Sequence, residues 1–155
     1  MKKVLFMSFG LLVVMMFGIS AHAQLPAPEN LLCGLADTDG DTSNDSVCCS
    51  WDPVTGAVKY SLDIEVPVDT SDPADGIADM VVDLSFGTSD WTDGGSMSDP
   101  NLCVLLSDIA YDINGDGIPD QLSGDADIKV KALAPGKKKG RQNNPFSTPV
   151  TVTLP

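Results

Sequence analysis

Histidine is nearly absent from this 155-residue sequence, since the only one, His22, lies in an N-terminal segment that we expect to be cleaved. The remaining chain therefore lacks the commonest general base and any Ser–His or Cys–His pair, which excludes most nucleophilic catalysis. Carboxylate pairs remain available, but the spacing of the Asp residues has a simpler explanation as metal ligands. We expect a protein that is not an enzyme.

Long apolar runs are missing after the N terminus, which itself has the layout of a secretory signal peptide. Lys2 and Lys3 precede an apolar run of sixteen residues from 4 to 19, and a small-residue cleavage pattern ends at Ala23. The run is shorter than the roughly 20 residues that span a bilayer, so a membrane anchor is the less favoured alternative. We predict a signal peptide over residues 1–23 and one domain over 24–155, without a membrane span. This mature chain would act outside the cytoplasm, whether secreted, periplasmic or at the cell surface.

Basic residues are scarce until the C-terminal part of the chain. All 22 acidic residues lie between positions 24 and 127, where Lys59 is the only base, whereas residues 128–155 hold six bases and no acid. This asymmetry indicates either cations bound to the acidic part or two surfaces with different partners, although solubility alone would also explain it. The overall acidity and the lack of recognised motifs argue against nucleic-acid binding.

The sequence has four cysteines, Cys33, Cys48, Cys49 and Cys103. An even number in a chain bound for an oxidising compartment favours disulfides, and four cysteines allow three pairings. Zinc is not expected, because no histidine remains and the spacing is not that of two CxxC knuckles. The preferred interpretation is structural, as disulfides or as buried thiols without redox activity.

Helical periodicity is missing from the mature region, where short apolar or alternating runs are separated by turn residues. The pattern predicts an all-β fold with seven strands, the number of a β-sandwich. The predicted strands cover residues 30–35, 46–51, 57–66, 79–86, 101–106, 126–133 and 147–154. Strand alternation directs Lys129 and Lys131 to solvent and another set of side chains inward. The inward set comprises Val47, Cys49, Trp51, Ile128, Val130 and Ala132, with Trp51 in the core.

Three segments resemble parts of a fibronectin type III domain. The segment SVCCSWDPVTGAVKYSLDIEV (46–66) looks like strands B and C, with Trp51 closing one strand and Tyr60 within the next. ADIKVKALAPG (126–136) resembles strand F, and PFSTPVTVTLP (145–155) resembles strand G. The resemblance implies a seven-stranded antiparallel β-sandwich of the fibronectin type III or immunoglobulin-like class, with enlarged acidic loops.

The resemblance also implies a disulfide pairing. Cys49 faces the core, and Cys103 falls on strand E, which is the neighbour of strand B in this family. One bridge would then join Cys49 to Cys103, and the other would join Cys33 to Cys48. Geometry decides among the pairings.

The segment DINGDGIPD has the side-chain spacing of a calcium loop. Its predicted ligands at loop positions 1, 3, 5, 7 and 9 are Asp112, Asn114, Asp116, the Ile118 carbonyl and Asp120. Alternate oxygens on a tightly curled loop converge on one point, and Gly117 at position 6 permits the sharp turn. The segment resembles the calcium loops of thrombospondin type 3 repeats and dockerins. It is not a complete EF-hand, because Ser123 stands at position 12, and the missing ligand would come from Asp125, Asp127 or water.

A second segment, DTDGDTSND, repeats the 1, 3, 5, 9 spacing. Its predicted ligands are Asp37, Asp39, Asp41 and Asp45. Thr42 occupies the position that favours glycine, which makes this the weaker calcium match. A third acidic stretch keeps only Asp75, Gly76 and Asp79 of the pattern, and we predict no site there. Ordinary turns rich in Asp and Gly are the alternative for all three.

The resemblance places the three acidic stretches at one pole, in the A–B, C–C′ and E–F loops. Calcium there would offset their mutual repulsion and make stability calcium-dependent. It would also hold the E–F corner, where the family's tyrosine at the start of strand F is replaced by Ala126. Tyr111 is the candidate substitute at that corner.

The opposite pole carries a basic loop in the same arrangement. A basic loop beside an exposed aromatic side chain suits acidic polymers, glycans or a protein partner, and the alternative is a solvated loop with Trp91 folded inward. The predicted partner-binding residues are Lys137, Lys138, Lys139, Arg141 and Trp91.

Three classes of function remain. The leading hypothesis is a secreted binding or adhesion module, stabilised by calcium, for an extracellular protein or glycan. A structural subunit or spacer of a cell-surface assembly is the alternative. A carbohydrate-active enzyme that uses an Asp pair ranks last.

Overall fold

The computed structural model describes residues 24–70, 80–87, 100–135 and 143–155. The predicted signal peptide, residues 1–23, lies outside these ranges. Within them the chain is built from β-strands, with one short 3₁₀ helix. An all-β fold, as the sequence predicts, is therefore confirmed.

The strands form two main antiparallel sheets and a small hairpin. One sheet has the strand order β1-β2-β5, the other has the order β4-β3-β8-β9, and β6 pairs with β7. A 3₁₀ turn, Leu106–Asp108, follows β5. The strands are β1 (Leu32–Ala36), β2 (Ser46–Ser50), β3 (Lys59–Val68), β4 (Met80–Gly87), β5 (Asn101–Leu105), β6 (Ala110–Tyr111), β7 (Asp120–Gln121), β8 (Gly124–Leu133) and β9 (Val150–Leu154).

Alternation places the apolar side chains of both sheets in one core, the arrangement of a β-sandwich. The residues predicted to face inward are buried as expected, with Val47, Ile128 and Ala132 fully inaccessible to solvent. Trp51 lies in this core, and its ring packs edge-on against the ring of Tyr60 with centroids 5.1 Å apart. The buried Tyr60 hydroxyl accepts a hydrogen bond from the Val54 N–H at 2.9 Å, which links the turn after β2 to the core.

The two disulfides pair differently from the expected bridges, which is a correction. They join Cys33 to Cys49 and Cys48 to Cys103. The register explains the difference, because Cys33 stands directly opposite Cys49 across β1 and β2, and Cys48 opposite Cys103 across β2 and β5. Directly opposite residues share one face of a sheet, whereas Cys49 and Cys103 point to opposite faces.

Buried aliphatic side chains hold the connection between β5 and β8. Tyr111 is 44% exposed and does not take the place of a buried corner tyrosine. Leu106, Ile109 and Leu122 are buried instead. The Ile109 N–H donates to the Leu106 carbonyl at 3.1 Å, and the Leu122 N–H donates to the Ile109 carbonyl at 3.0 Å. These contacts anchor the loop that β6 and β7 enclose.

Candidate metal centre in the acidic loops

The two predicted calcium loops lie at the same end of the fold. The first acidic loop, residues 37–45, joins β1 to β2, and the second acidic loop, residues 112–120, joins β6 to β7. The Asp45 carbonyl accepts a hydrogen bond of 2.8 Å from the Leu106 N–H, at the point where β5 ends. The Leu106 carbonyl in turn accepts a hydrogen bond from the N–H of Ile109, which precedes the second loop. A short run of backbone hydrogen bonds therefore connects the two acidic loops.

In the second acidic loop the backbone curls around one carboxylate. Asp112 accepts hydrogen bonds from the N–H groups of Gly115 at 2.7 Å and Asp116 at 3.1 Å through Oδ1, and from Gly117 at 2.9 Å through Oδ2. The loop closes where the Ile113 N–H donates to Asp120 at 3.3 Å. Positions 1 and 9 of the predicted ligand set therefore organise the loop.

The first acidic loop repeats five of the six side-chain hydrogen bonds of the second loop at the same positions, all but the one from the position-5 N–H to the position-1 carboxylate. Asp37 at position 1 accepts from the N–H groups at position 4, Gly40, at 2.6 Å and position 6, Thr42, at 2.8 Å. Position 9, Asp45, accepts from the Thr38 N–H at position 2, at 3.0 Å. In both loops the N–H at position 5 also donates to the side chain at position 3, and the N–H at position 7 to the side chain at position 5. The two segments therefore share one loop conformation.

The shared conformation requires two residues with positive φ. Gly40 and Gly115 supply position 4 with φ of 82° and 76°, and Gly117 supplies position 6 with φ of 84°. At position 6 of the first loop, Thr42 takes the same conformation with φ of 79°. A β-branched residue at positive φ is a rare and strained backbone state. Thr42 thus follows the same backbone path as Gly117, but with backbone strain that glycine would not have.

The carboxylates converge most closely in the first acidic loop, although its sequence is the weaker match. Oxygen atoms of Asp37, Asp39 and Asp45 lie within 4.8 Å of one another. Over the described ranges this is the only group of three or more His, Cys, Asp or Glu side chains with that spacing, so Asp112, Asp116 and Asp120 do not form one. Three clustered carboxylates offer the oxygen ligands that calcium prefers.

Backbone hydrogen bonds lower the pKa of two of these carboxylates. The N–H groups of Thr42 and then Gly40 lower the pKa of Asp37 below 3.8. The N–H of Thr38, followed by its hydroxyl, lowers the pKa of Asp45 in the same direction. Hydrogen bonds to the charged form favour that form. Asp37 and Asp45 therefore keep their negative charge further into the acid range than an ordinary Asp, which suits a cation site.

A second polar cluster lies on the outer face of the four-stranded sheet, and the sequence did not reveal it. Asp63 is only 6% exposed and accepts hydrogen bonds from the hydroxyls of Ser61 at 3.2 Å and Ser85 at 2.8 Å. Lys131 lies 4.0 Å from Asp63. Alternation predicts an outward Lys131 correctly, but partners on other strands become visible only once the register is known.

Lys129 continues this cluster along β8. It is hydrogen-bonded to Glu65, and both lysine side chains approach the Phe146 ring, with centroid distances of 4.9 Å for Lys129 and 4.3 Å for Lys131. The hydrogen bond to Glu65, more than any other contact, raises the pKa of Lys129. Glu65 stands directly opposite Asp83 on one side and Asp127 on the other. Lys129 thus offsets the repulsion within a row of three carboxylates.

Several predicted residues lie outside the described ranges. The basic loop and its aromatic neighbour are among them, as is the third acidic stretch. These residues are Lys137, Lys138, Lys139, Arg141, Trp91, Asp75, Gly76 and Asp79. The prediction that the four basic residues and Trp91 form a partner-binding surface therefore stays a prediction, as does the expectation of no metal site in the third acidic stretch.

No helix among the described residues combines the length and the apolar character that crossing a membrane requires. None of the family models, curated proteins and solved structures that were compared with the chain matches it.

Proposed function

We propose that this chain is a secreted, non-enzymatic binding or adhesion module with a fibronectin type III-like sandwich, whose acidic loops bind calcium. Its partner would be an extracellular protein or glycan. The observation that carries the proposal is the repeated loop conformation at one end of the fold, with the clustered carboxylates of Asp37, Asp39 and Asp45. A sandwich that concentrates carboxylates in shaped loops and shows no catalytic histidine in its mature sequence suits recognition better than catalysis.

The strand order supports the fibronectin type III assignment. If β1, β2, β3, β4, β5, β8 and β9 correspond to strands A, B, C, C′, E, F and G, both sheets have the neighbours that the resemblance implies. The two-residue strands β6 and β7 are then additions within the E–F connection. Two disulfides within the A, B and E strands are compatible with an extracytoplasmic location.

Calcium would act as a cross-link between side chains that otherwise repel. The first acidic loop presents Asp37, Asp39 and Asp45, while the second presents Asp112, Asn114, Asp116 and Asp120 with the Ile118 carbonyl. Because the Asp45 carbonyl accepts a hydrogen bond from the Leu106 N–H, ordering the first loop would also stabilise the end of β5. A ligand that binds only the folded state adds about 2.7 kcal/mol of stability at 100 times its Kd.

The test is calorimetric titration of the metal-stripped protein with calcium, with thermal melts in chelator and in calcium. We expect a Kd between roughly 10⁻⁶ and 10⁻³ M and a higher melting temperature in calcium. Asp37→Asn and Asp112→Asn should each weaken binding. Asp83→Asn removes one charge from the outer sheet face and is the matched control. Equal melting temperatures in chelator and millimolar calcium would remove calcium from the proposal.

The binding role is tested separately with the calcium-loaded protein on a glycan array and with extracellular proteins. Binding that disappears when the lysines of the basic loop, Lys137, Lys138 and Lys139, become Ser would identify the recognition surface. Sugar release from any glycan would instead indicate an enzyme.

A structural subunit is a second candidate, and one observation favours it. The side chains that point outward from the β1-β2-β5 sheet include no ionisable group, and Leu32 among them is 69% exposed. An uncharged face on an acidic protein is where copies can approach without repulsion. Calcium-dependent self-association in sedimentation experiments, lost in Leu32→Asp, would favour this role over the binding module.

A further inference from the structure

The two disulfides cross the same three-stranded sheet but lie on its opposite faces. Cys33 and Cys49 point inward, where Cys49 is 3% exposed and Cys33 packs against the core. Cys48 and Cys103 alternate with them and point outward, and both are half-buried. We call these the inner bridge, Cys33–Cys49, and the outer bridge, Cys48–Cys103. One sheet therefore contains a core disulfide and a surface disulfide joined through two adjacent residues.

The outer bridge has an open approach from the β1 side. Gly34 stands directly opposite Cys48, on the side away from Cys103. A Cβ placed on Gly34 would meet no heavy atom within 4 Å, so the space beside Cys48 holds no described side chain. Thiol–disulfide exchange requires a thiolate to reach a sulfur in line with the bond that breaks. The gap at Gly34 provides such a path to the Cys48 Sγ.

The inner bridge is more enclosed than the outer bridge, chiefly at Cys49. Cys49 lies between the buried residues Val47 and Trp51 on the inward face of β2. On the other side of the bridge, β9 of the four-stranded sheet passes beside β1. Attack at Cys49 therefore requires the two sheets to separate locally, which costs free energy of opening. Cys33 is half-buried like the cysteines of the outer bridge, but β9 restricts the approach to its sulfur.

We propose that the outer bridge, Cys48–Cys103, is a thiol–disulfide exchange site, while the inner bridge is a permanent structural bond. The co-reactant is an external dithiol. Its thiolate attacks the Cys48 Sγ, the Cys48–Cys103 bond breaks, and Cys103 leaves as a thiolate that takes up a proton. The second thiol of the reagent then attacks the mixed disulfide, so that Cys48 is released as a thiol and the reagent leaves as a disulfide.

Reduction of the outer bridge would remove the covalent link between β5 and β2. The bridge closes a sequence separation of 55 residues, against 16 for the inner bridge. Because loop-closure entropy grows with loop length, the outer bridge restricts the unfolded chain more strongly. After reduction β5 is held only by non-covalent contacts, its ladder with β2 and the burial of Leu102 and Val104 in the core. It lies next to the Asp45–Leu106 hydrogen bond that connects the acidic loops. Redox state would thus change the stability of that end of the fold.

The experiment is timed reduction of the intact folded protein with dithiothreitol, followed by alkylation and peptide mass spectrometry. Cys33 and Cys103 are the reporters, since they lie far apart in sequence and report the inner and outer bridges separately. We expect Cys103 to be alkylated at least about tenfold faster than Cys33, a factor that corresponds to about 1.4 kcal/mol. Equal rates, or faster labelling of Cys33, would overturn the proposal.

Variants at Gly34 test the route of attack. Gly34→Val fills the gap beside Cys48 and should slow labelling of Cys103 severalfold without changing that of Cys33. Gly34→Ala makes the same backbone change with little added reach and is the matched control. If Gly34→Val leaves the labelling rate of Cys103 unchanged, the proposed route of attack is wrong. In a parallel reaction with glutathione, the adduct should form on Cys48, and an adduct on Cys103 instead would contradict attack at the Cys48 Sγ.

Discussion

The strained Thr42 in the first acidic loop yields the sharpest test of the loop geometry. Its φ of 79° matches the 84° of Gly117 at the same position of the second loop. An L-residue in this region costs roughly 1–2 kcal/mol compared with its preferred conformations. Glycine avoids that cost but loses about 0.5–1 kcal/mol more chain entropy on folding. Thr42→Gly should therefore stabilise the protein by about 0.5–1 kcal/mol.

The reciprocal change should have the opposite effect. A Cβ at Gly117 would meet nothing within 4 Å, so Gly117→Thr introduces backbone strain without a steric clash. We expect destabilisation by about 0.5–1 kcal/mol from the same two terms. The double variant that carries both changes should have nearly the free energy of unfolding of the original protein, because the two sites lie in separate loops and their opposite effects add.

The assay is reversible chemical denaturation in the presence of chelator, with thermal melts as a second readout. For a domain of this size the expected shift is about 2–4 °C. Thr55→Gly is the matched control, since Thr55 is an exposed turn residue that is not among those with positive φ. It has no strain to relieve and should lose stability. If Thr42→Gly is no more stable than Thr55→Gly, the strain argument fails.

Three further predictions follow from individual contacts. Tyr60→Phe removes the hydroxyl that accepts the hydrogen bond of the buried Val54 N–H and should lower the free energy of unfolding in urea by about 1–3 kcal/mol. Tyr111→Phe, at an exposed site, is the control and should leave stability unchanged. Because the folded pKa of Asp37 is lowered, its contribution to stability is present above pH 3.8 and is lost as pH falls through the folded value. Melts between about pH 5 and pH 2 should show this loss, and Asp37→Asn should flatten it. Lys129→Met removes the positive charge beside Glu65 and its carboxylate neighbours and should lower the free energy of unfolding by about 1 kcal/mol, and by less at high salt. A loss of stability that does not change with salt would contradict the charge argument.

Local patterns in the sequence predicted most of the strands. The runs expected at 46–51 and 101–106 form strands at Ser46–Ser50 and Asn101–Leu105, within one residue of the prediction. Alternation also identified Trp51 as a core residue, because a two-residue period assigns every side chain of a strand to one face. The two-residue strands β6 and β7 were missed because they are too short to show any period.

The acidic loops show where spacing alone misleads. The segment with glycine at position 6 matched the calcium pattern better, yet the close carboxylate group is that of Asp37, Asp39 and Asp45. Spacing predicts which side chains can turn inward, but the distances between their oxygens depend on rotamers and on the hydrogen bonds that each carboxylate accepts. Asp45, for example, is drawn toward Thr38 through both the N–H and the hydroxyl.

The sequence by itself determined the fold class, the inward and outward faces and the positions of the acidic turns, because these depend on periods and residue types within a few positions. The tertiary structure alone decided which cysteines are bonded, since Cys33 and Cys103 find their partners through strand register. It also decided that Lys129 joins Glu65, 64 residues away. Register between distant strands is set by the packing of the whole core, and no local pattern contains it.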